Sequence, residues 1–382
     1  MAGRRIKRGA RETAGAGASW REWRARCGHL VGTGVVSLTD VAAREVQWLW
    51  PGRVPLGKLT LLDGDPGLGK SAITLDLAAR VSRGGALPDD SRGDVREPAG
   101  VVLLCREDGL GDTVRPRLEA VGADLARVTA ITGMPTPTGL REVRLREDWQ
   151  ALAREVVRVG ARLLMIDPLM AYVERGVNLY RDQDARWALA PLVMLAEMGE
   201  VAVVAVRHLT KGGGVNPLYR GGGSIGIVGV ARSGLLVAAD PADATGERRV
   251  LAVAKGNLAA DVPSLGFTLE QAGGSGALRV VWQGPVEQTA ASLLAARQDA
   301  ERPPRRDLLG AARAYLEATL AAGPRPAREV LEAAERAGLG VRTLRRAKAE
   351  MGVVALKRGA EWWWAIPESE RRAESGPRGC DL

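Results

Sequence analysis

Eight consecutive residues, Gly64-Asp65-Pro66-Gly67-Leu68-Gly69-Lys70-Ser71, have the types and spacing to hold a polyphosphate. Glycines let backbone N–H groups turn inward around phosphate oxygens, and a helix that opens at such a loop points its positive end at them. Lys70 has the reach for β- and γ-phosphates, and Ser71 offers a hydroxyl to a magnesium ion. The run matches GxxxxGK[ST] in full. It lies between an expected strand over 58–63 and an expected helix over 71–83, which is the context the motif requires.

A phosphate loop needs a carboxylate from a neighbouring strand to hold its metal. Asp167 closes the apolar run Leu163 to Ile166 and fits that role. Hydrolysis also needs a group that orients or deprotonates water. Glu107 and Asp108 follow the apolar run over 101–105; Glu107 is the expected water-handling carboxylate, and Asp108 suits helix capping better. His208 follows the apolar run over 201–206, where it could sense a γ-phosphate by hydrogen bonding. All these residues leave the C-terminal ends of expected strands, the edge on which a parallel sheet presents its chemistry.

The elements that must position them alternate. Strands are expected over 58–63, 101–105, 162–167, 201–206, 235–239 and 250–254, and helices over 71–83, 148–159 and 184–198. Strands apolar throughout, alternating with helices, predict an α/β fold with a mostly parallel sheet covered on both faces. Residues 249–284 have short connections and are expected to extend the sheet in antiparallel fashion. The expected organisation is a flexible basic arm over 1–38, an ATPase domain over 39–284, a helix-containing linker over 285–305, a small domain over 306–367 and a tail over 368–382.

In order, GDPGLGKS, LLCRED, LLMIDP, VRHLTKGGG and YRGGGSIGIVGVARSGLLV resemble the RecA-like P-loop ATPases. Within that group they resemble most closely the RepA-type hexameric helicases of plasmids and related mobile-element AAA-family ATPases. The resemblance covers about 58–257. It implies ATP as the nucleotide, Mg²⁺ as cofactor, Glu107 as the catalytic carboxylate, Asp167 as the magnesium-linked aspartate and His208 as the γ-phosphate sensor. It implies further that Arg232 is an arginine finger serving a neighbouring subunit, and hence a homo-oligomer, in the form of a ring. Lys255 resembles a basic position directed at the phosphates, but Asn257 stands where the family's accompanying arginine would be. The glycine-rich segment over 209–224 matches a channel-facing loop, with Lys211 and Arg220 as contacts for single-stranded DNA; Tyr219 is its one aromatic residue.

Composition bounds the rest. The 382 residues are 46% hydrophobic and 26% charged, which excludes a mostly disordered chain. Three scattered cysteines and two histidines exclude a thiolate or His-rich metal site, and the low cysteine count fits a reducing cytoplasm. No membrane span or secretory leader is expected, so the expected location is cytoplasmic. The net charge of +9 sits at the two ends of the chain, around a neutral middle. That distribution suits an enzyme core flanked by segments that contact a polyanion. Seven lysines stand against forty-seven arginines, a coding bias that argues against reading every arginine as functional.

Residues 306–367 predict three helices followed by a strand pair, an order that resembles a winged helix. The third helix carries Arg342, Arg345, Arg346 and Lys348, apt for duplex DNA, with Lys357 and Arg358 at the wing. Trp362, Trp363 and Trp364 are consecutive, so their side chains must alternate between faces. The resulting expectation is an ATP-hydrolysing DNA helicase or translocase in replication or mobile-element maintenance. An ATP-switched DNA-binding regulator is the alternative. A small-molecule kinase fits neither the basic module nor the glycine-rich loop.

Overall fold

A computed structural model of the chain describes residues 37–209, 225–272, 276–301 and 308–367. Contacts divide the chain into two compact units, Met1–Arg297 and Gln298–Leu382. No helix among the described residues is long and apolar enough to cross a membrane. Residues 1–36 of the expected arm, the expected tail, the tip of the glycine-rich segment with Lys211, Tyr219 and Arg220, and residues 302–307 lie outside the described residues.

The first unit is built on one nine-stranded sheet. Its strands are β1 (Leu59–Gly64), β2 (Gly100–Cys105), β3 (Val128–Ala130), β4 (Ala161–Asp167), β5 (Ala202–His208), β6 (Ser233–Ala239), β7 (Arg249–Gly256), β8 (Ser264–Gln271) and β9 (Leu278–Val286). Across the sheet the order is β9-β8-β7-β6-β1-β5-β4-β2-β3. From β6 to β3 every neighbouring pair is parallel, and β6 to β9 pair antiparallel. The mostly parallel sheet with an antiparallel extension is therefore as the sequence predicted.

Strand alternation splits the core into two layers. Val102, Leu104, Leu164, Ile166, Val203 and Ala205 face helices α3 (Leu145–Arg158) and α4 (Asp182–Gly199), packing against Leu152, Val156, Leu189 and Leu192. Val101, Leu103, Leu163, Met165, Val204 and Val206 face the other way, against Ile73, Leu77 and Val81 of α1 (Lys70–Arg83). Both faces are dry, which is why these strands read as unbroken apolar runs. The short helices α2 (Arg115–Ala120) and α5 (Ile225–Val230) complete the connections, and α6 (Ala290–Glu301) follows β9. Residues 285–305, expected as a linker, thus include a helix whose Leu293 and Leu294 are buried against Leu209, Leu236, Val250 and Ala252 of the first unit.

In the second unit, α7 (Leu308–Leu320), α8 (Ala327–Arg336) and α9 (Val341–Glu350) surround Leu316, Val330, Leu344 and Trp364. Strands β10 (Arg325–Pro326), β11 (Val354–Arg358) and β12 (Glu361–Ala365) form a small antiparallel sheet in the order β10-β12-β11. The strand β10 was not anticipated; it is two residues long, too short for any periodicity. Trp364 is buried and Trp362 is 56% exposed although the two share one face of β12, so burial here rises along the strand instead of alternating.

Candidate active site

Strand order brings the expected residues together. β1 ends in the phosphate loop, β5 lies beside it, and β4 lies beyond β5. In register, Gly64 stands opposite His208, and Cys105 opposite Asp167. One sheet edge therefore carries the phosphate loop, His208, Asp167 and the residues after Cys105.

The loop's shape depends on glycine at both ends. A Cβ on Gly64 would lie 2.6 Å from the Val237 carbonyl oxygen. Gly69 has φ of +88°, and a Cβ there would press on Leu269 of β8. Between them, Pro66 and Gly67 are exposed.

Lys70 is buried, and its Nζ donates to the carbonyls of Gly64 (2.8 Å) and Asp65 (2.7 Å). Nζ also lies 3.3 Å from His208 Nδ1. Burial pushes the lysine's pKa below its ordinary value, against the pull of Asp167, Asp65, Asp63 and Glu107. The ammonium is thus held among four carboxylates and loop carbonyls, a cation kept dry and ready for stronger anionic partners.

Asp167 is the reverse case. Burial raises its pKa, and Asp108 and Glu107 add to the rise; a hydrogen bond from the Ser71 hydroxyl and the charge of Lys70 oppose it. Ser71, Asp167, Glu107, Asp108 and Cys105 line one small cavity of about 40 Å³. The Cys105 thiol is pushed up to about 12, first by burial and then by Asp167 and Asp108, so it stays a neutral wall. Among the described residues no three His, Cys, Asp or Glu side chains converge on a metal-sized gap. The donor set at this cavity is one serine hydroxyl and one electrostatically strained carboxylate. That fits a magnesium ion completed by water and phosphate oxygens, since Mg²⁺ takes few protein ligands.

The two candidate carboxylates after β2 separate. Asp108 pairs with Arg117 of α2 at 2.9 Å. Glu107 is exposed, and its Oε2 lies 3.8 Å from His208 Nε2. Both line the cavity, but Asp108 is held by Arg117 and Glu107 is the more exposed of the two.

Arg232 is not part of this cluster within one chain. Ser233 of β6 is in register with Thr60, near the start of β1, and Val237 with Gly64 at its end. Arg232 consequently sits at the opposite edge of the sheet, roughly 16 Å from the loop at the usual strand rise. It is exposed there, next to Lys255, whose pKa is lowered by burial and by the charges of Arg232 and Arg186. Lys255 Nζ donates to the carbonyls of Val228 (2.5 Å) and Ala231 (2.8 Å), capping the end of α5.

In the second unit, Arg342 and Arg345 of α9 are exposed. Arg346 is exposed but ion-paired with Glu350 at 3.1 Å. Lys348 turns inward, its Nζ 5.2 Å from the Trp364 ring centroid. Lys357 and Arg358 are exposed at the end of β11.

Sequence reasoning missed two pairs at the phosphate edge. Arg207, 1% exposed, holds Asp63 through two hydrogen bonds of 2.8 and 2.7 Å, directly before the loop. Opposite charges at matched ends of two apolar strands were the available signal. Arg297 of α6 reaches Asp65 in the loop itself, at 2.8 Å. No local pattern announced that contact.

With this geometry in view, the comparisons with known proteins take their place. Residues 32–214, just under half of the chain, match the family model described as AAA domain. The DNA repair protein RadA of Streptococcus pneumoniae is 24% identical over 180 residues, covering 47% of this chain and 36% of that protein. The chain thus spans about a third of the length of the curated relative it matches. The family match, this distant relative and the sheet together support a RecA-like P-loop ATPase domain.

Proposed function

We propose that this protein binds ATP with Mg²⁺, hydrolyses it at an interface between subunits of a ring, and uses the cycle to act on DNA as a helicase or translocase. The observation that carries the reading is the one small cavity lined by Ser71, Asp167 and Glu107 on the sheet edge that also holds the buried Lys70, whose Nζ lies 3.3 Å from His208.

ATP enters a loop whose lysine is occupied by two carbonyls and the His208 ring. Phosphate oxygens are stronger acceptors, so Lys70 exchanges Gly64 and Asp65 for them and stabilises charge on the transferring group. Bound Mg²⁺ would be held by Ser71 and Asp167 and would neutralise charge on the phosphates. Glu107 accepts the proton of the attacking water and holds that water in line. His208, between Lys70 and Glu107, reports whether the γ-phosphate is present.

The trans role of Arg232 is supported by its exposure at the far edge and by its positive neighbours Lys255 and Arg186. For the second unit, the order helix, strand, helix, helix, strand, strand supports a winged-helix reading. The exposed Arg342 and Arg345 on α9 support duplex DNA as its partner. Single-stranded DNA at Lys211 and Arg220 rests on the resemblance of the glycine-rich loop.

The test is steady-state ATPase activity with and without single- and double-stranded DNA, with Lys70→Ala as the blank. Stimulation by single strands supports the motor. Stimulation by duplex alone points to translocation or loading through the second unit. Hydrolysis that neither form of DNA changes makes the protein an ATP-switched DNA-binding regulator.

A further inference from the structure

The three consecutive tryptophans of β12 meet different surroundings. The Arg358 guanidinium lies 5.3 Å from the Trp363 ring centroid, and Lys348 Nζ lies 5.2 Å from that of Trp364. Among the described residues no cation or ring covers Trp362, and it is 56% exposed. An indole is a large apolar plate, and holding half of it in water forgoes the burial energy that its two neighbours gain.

Strand register shows what stands around it. Directly paired residues of an antiparallel sheet share a face. Lys357 of β11 pairs with Trp362, while Ala355 of β11 and Arg325 of β10 pair with Trp364. Trp362 and Trp364, two apart on one strand, share that face as well. It therefore carries Arg325, Ala355, Lys357, Trp362 and Trp364, with Lys348 of α9 reaching onto Trp364. Arg325 and Lys357 are exposed. The sheet's one carboxylate, Glu361, is next to Trp362 in sequence and so faces the other way, in register with Arg358. The open indole thus lies on a purely cationic sheet face, which Lys348 joins to the helix that carries Arg342 and Arg345.

We propose that Trp362 is a base-stacking residue for DNA: Lys357 beside it takes a backbone phosphate, and the indole stacks on a base whose face is open. Cations without carboxylates select a polyanion, and an aromatic plate among them adds what a phosphate contact lacks, a surface for a base. Bases inside a continuous duplex are already stacked on both faces. The partner is accordingly the end of a duplex or the first unpaired base beyond it. The inference rests on the DNA reading of the second unit and adds a preference within it, for ends and junctions over closed duplex.

The experiment is binding of the full chain, without nucleotide, to two DNAs of equal duplex length. One has both ends closed by hexaethylene glycol linkers and no unpaired base. The other carries a short single-stranded overhang whose first unpaired base is 2-aminopurine. Affinity is read by anisotropy, stacking by quenching of 2-aminopurine, and folding by thermal melts of each variant. The wild type should prefer the overhang DNA and quench its probe. Trp362→Ala and Trp362→Leu should weaken binding to that DNA about tenfold, the size of one base–aromatic stack, and leave the probe bright. Neither should change affinity for the closed duplex. Trp362→Phe, which keeps an aromatic face, should retain most of the binding and the quenching. Lys357→Ala should weaken binding to both DNAs and flatten the salt dependence.

Unchanged affinity and quenching in a folded Trp362→Ala variant overturn the inference and leave the indole to a protein contact. Equal losses on both DNAs overturn it too, since a merely structural tryptophan gives that pattern. If Trp362→Ala does not fold, Trp362→Leu against Trp362→Phe decides by the same criteria. A wild-type chain that binds neither DNA defeats the DNA reading itself, a result seen without touching Trp362.

Discussion

Lys70 Nζ lies 3.3 Å from His208 Nδ1. An ammonium has hydrogens and no lone pair, so in the neutral ring Nδ1 accepts and the proton sits on Nε2. That Nε2–H faces Glu107 Oε2 at 3.8 Å. One imidazole thus spans the gap between the phosphate-handling lysine and the water-handling carboxylate. A γ-phosphate that draws Lys70 away changes what His208 can offer to Glu107.

The relationship separates two variants kinetically. Glu107→Gln should lower kcat about 10²- to 10⁴-fold, the usual span for a lost general base, while ATP affinity holds. His208→Ala should likewise lower kcat more than it raises KM. Equal losses in binding and turnover would reassign either residue to ground-state binding. Single-turnover hydrolysis combined with nucleotide titration provides the check.

Asp167 should make the nucleotide-free fold sensitive to pH. Its folded-state pKa is raised, first by burial. The folded protein then holds that proton more tightly than the unfolded chain does. The associated stability is present below the ordinary carboxylate value near 3.8 and is lost as pH rises through the raised one. Asp167→Asn should therefore stabilise the metal-free protein at neutral pH while abolishing Mg²⁺-dependent hydrolysis. Urea unfolding at pH 4 and pH 7 should show the gap between variant and wild type widening as pH rises.

Arg207 and Asp63 form the most deeply buried ion pair beneath the loop, at 2.7 and 2.8 Å. Removing one partner leaves the other charge uncompensated. Asp63→Asn or Arg207→Met should cost about 3–5 kcal/mol, and a paired apolar replacement should cost less than the two single changes summed. Chemical denaturation of the two single variants and the double variant completes the cycle.

Arg232, at the sheet edge opposite its own chain's loop, should act only across an interface. Lys70→Ala and Arg232→Ala should each be inactive alone. Mixed in equal amounts, they should regain activity at about a quarter of the interfaces of a head-to-tail ring, where an intact loop meets an intact arginine. No recovery on mixing, with subunit exchange verified, would remove the trans role.

Much of the site was legible in the chain because its chemistry is local or sits at strand ends. GDPGLGKS is contiguous, and Gly67 and Gly69 have φ values that other residues rarely adopt. Asp167, Glu107 and His208 each follow an unbroken apolar run, and such runs are buried parallel strands whose C-terminal ends share one edge. What the sequence left open is which of these groups meet. Glu107 and Asp108 are adjacent along the chain; only the Arg117 contact, made when α2 folds back, engages Asp108 in an ion pair while Glu107 stays exposed.

By itself, then, the sequence determined the phosphate loop, the alternation of strands and helices, and the edge on which the reactive groups emerge, because these follow from contiguous residues and short-range periodicity. Only the tertiary structure decided that β5 separates β1 from β4, that Arg207 lies under the loop and that Arg297 reaches Asp65. Those contacts join residues far apart in the chain. They are set by the order in which strands pair and by where Leu293 and Leu294 find a buried seat, and neither leaves a periodic trace near the residues it brings together.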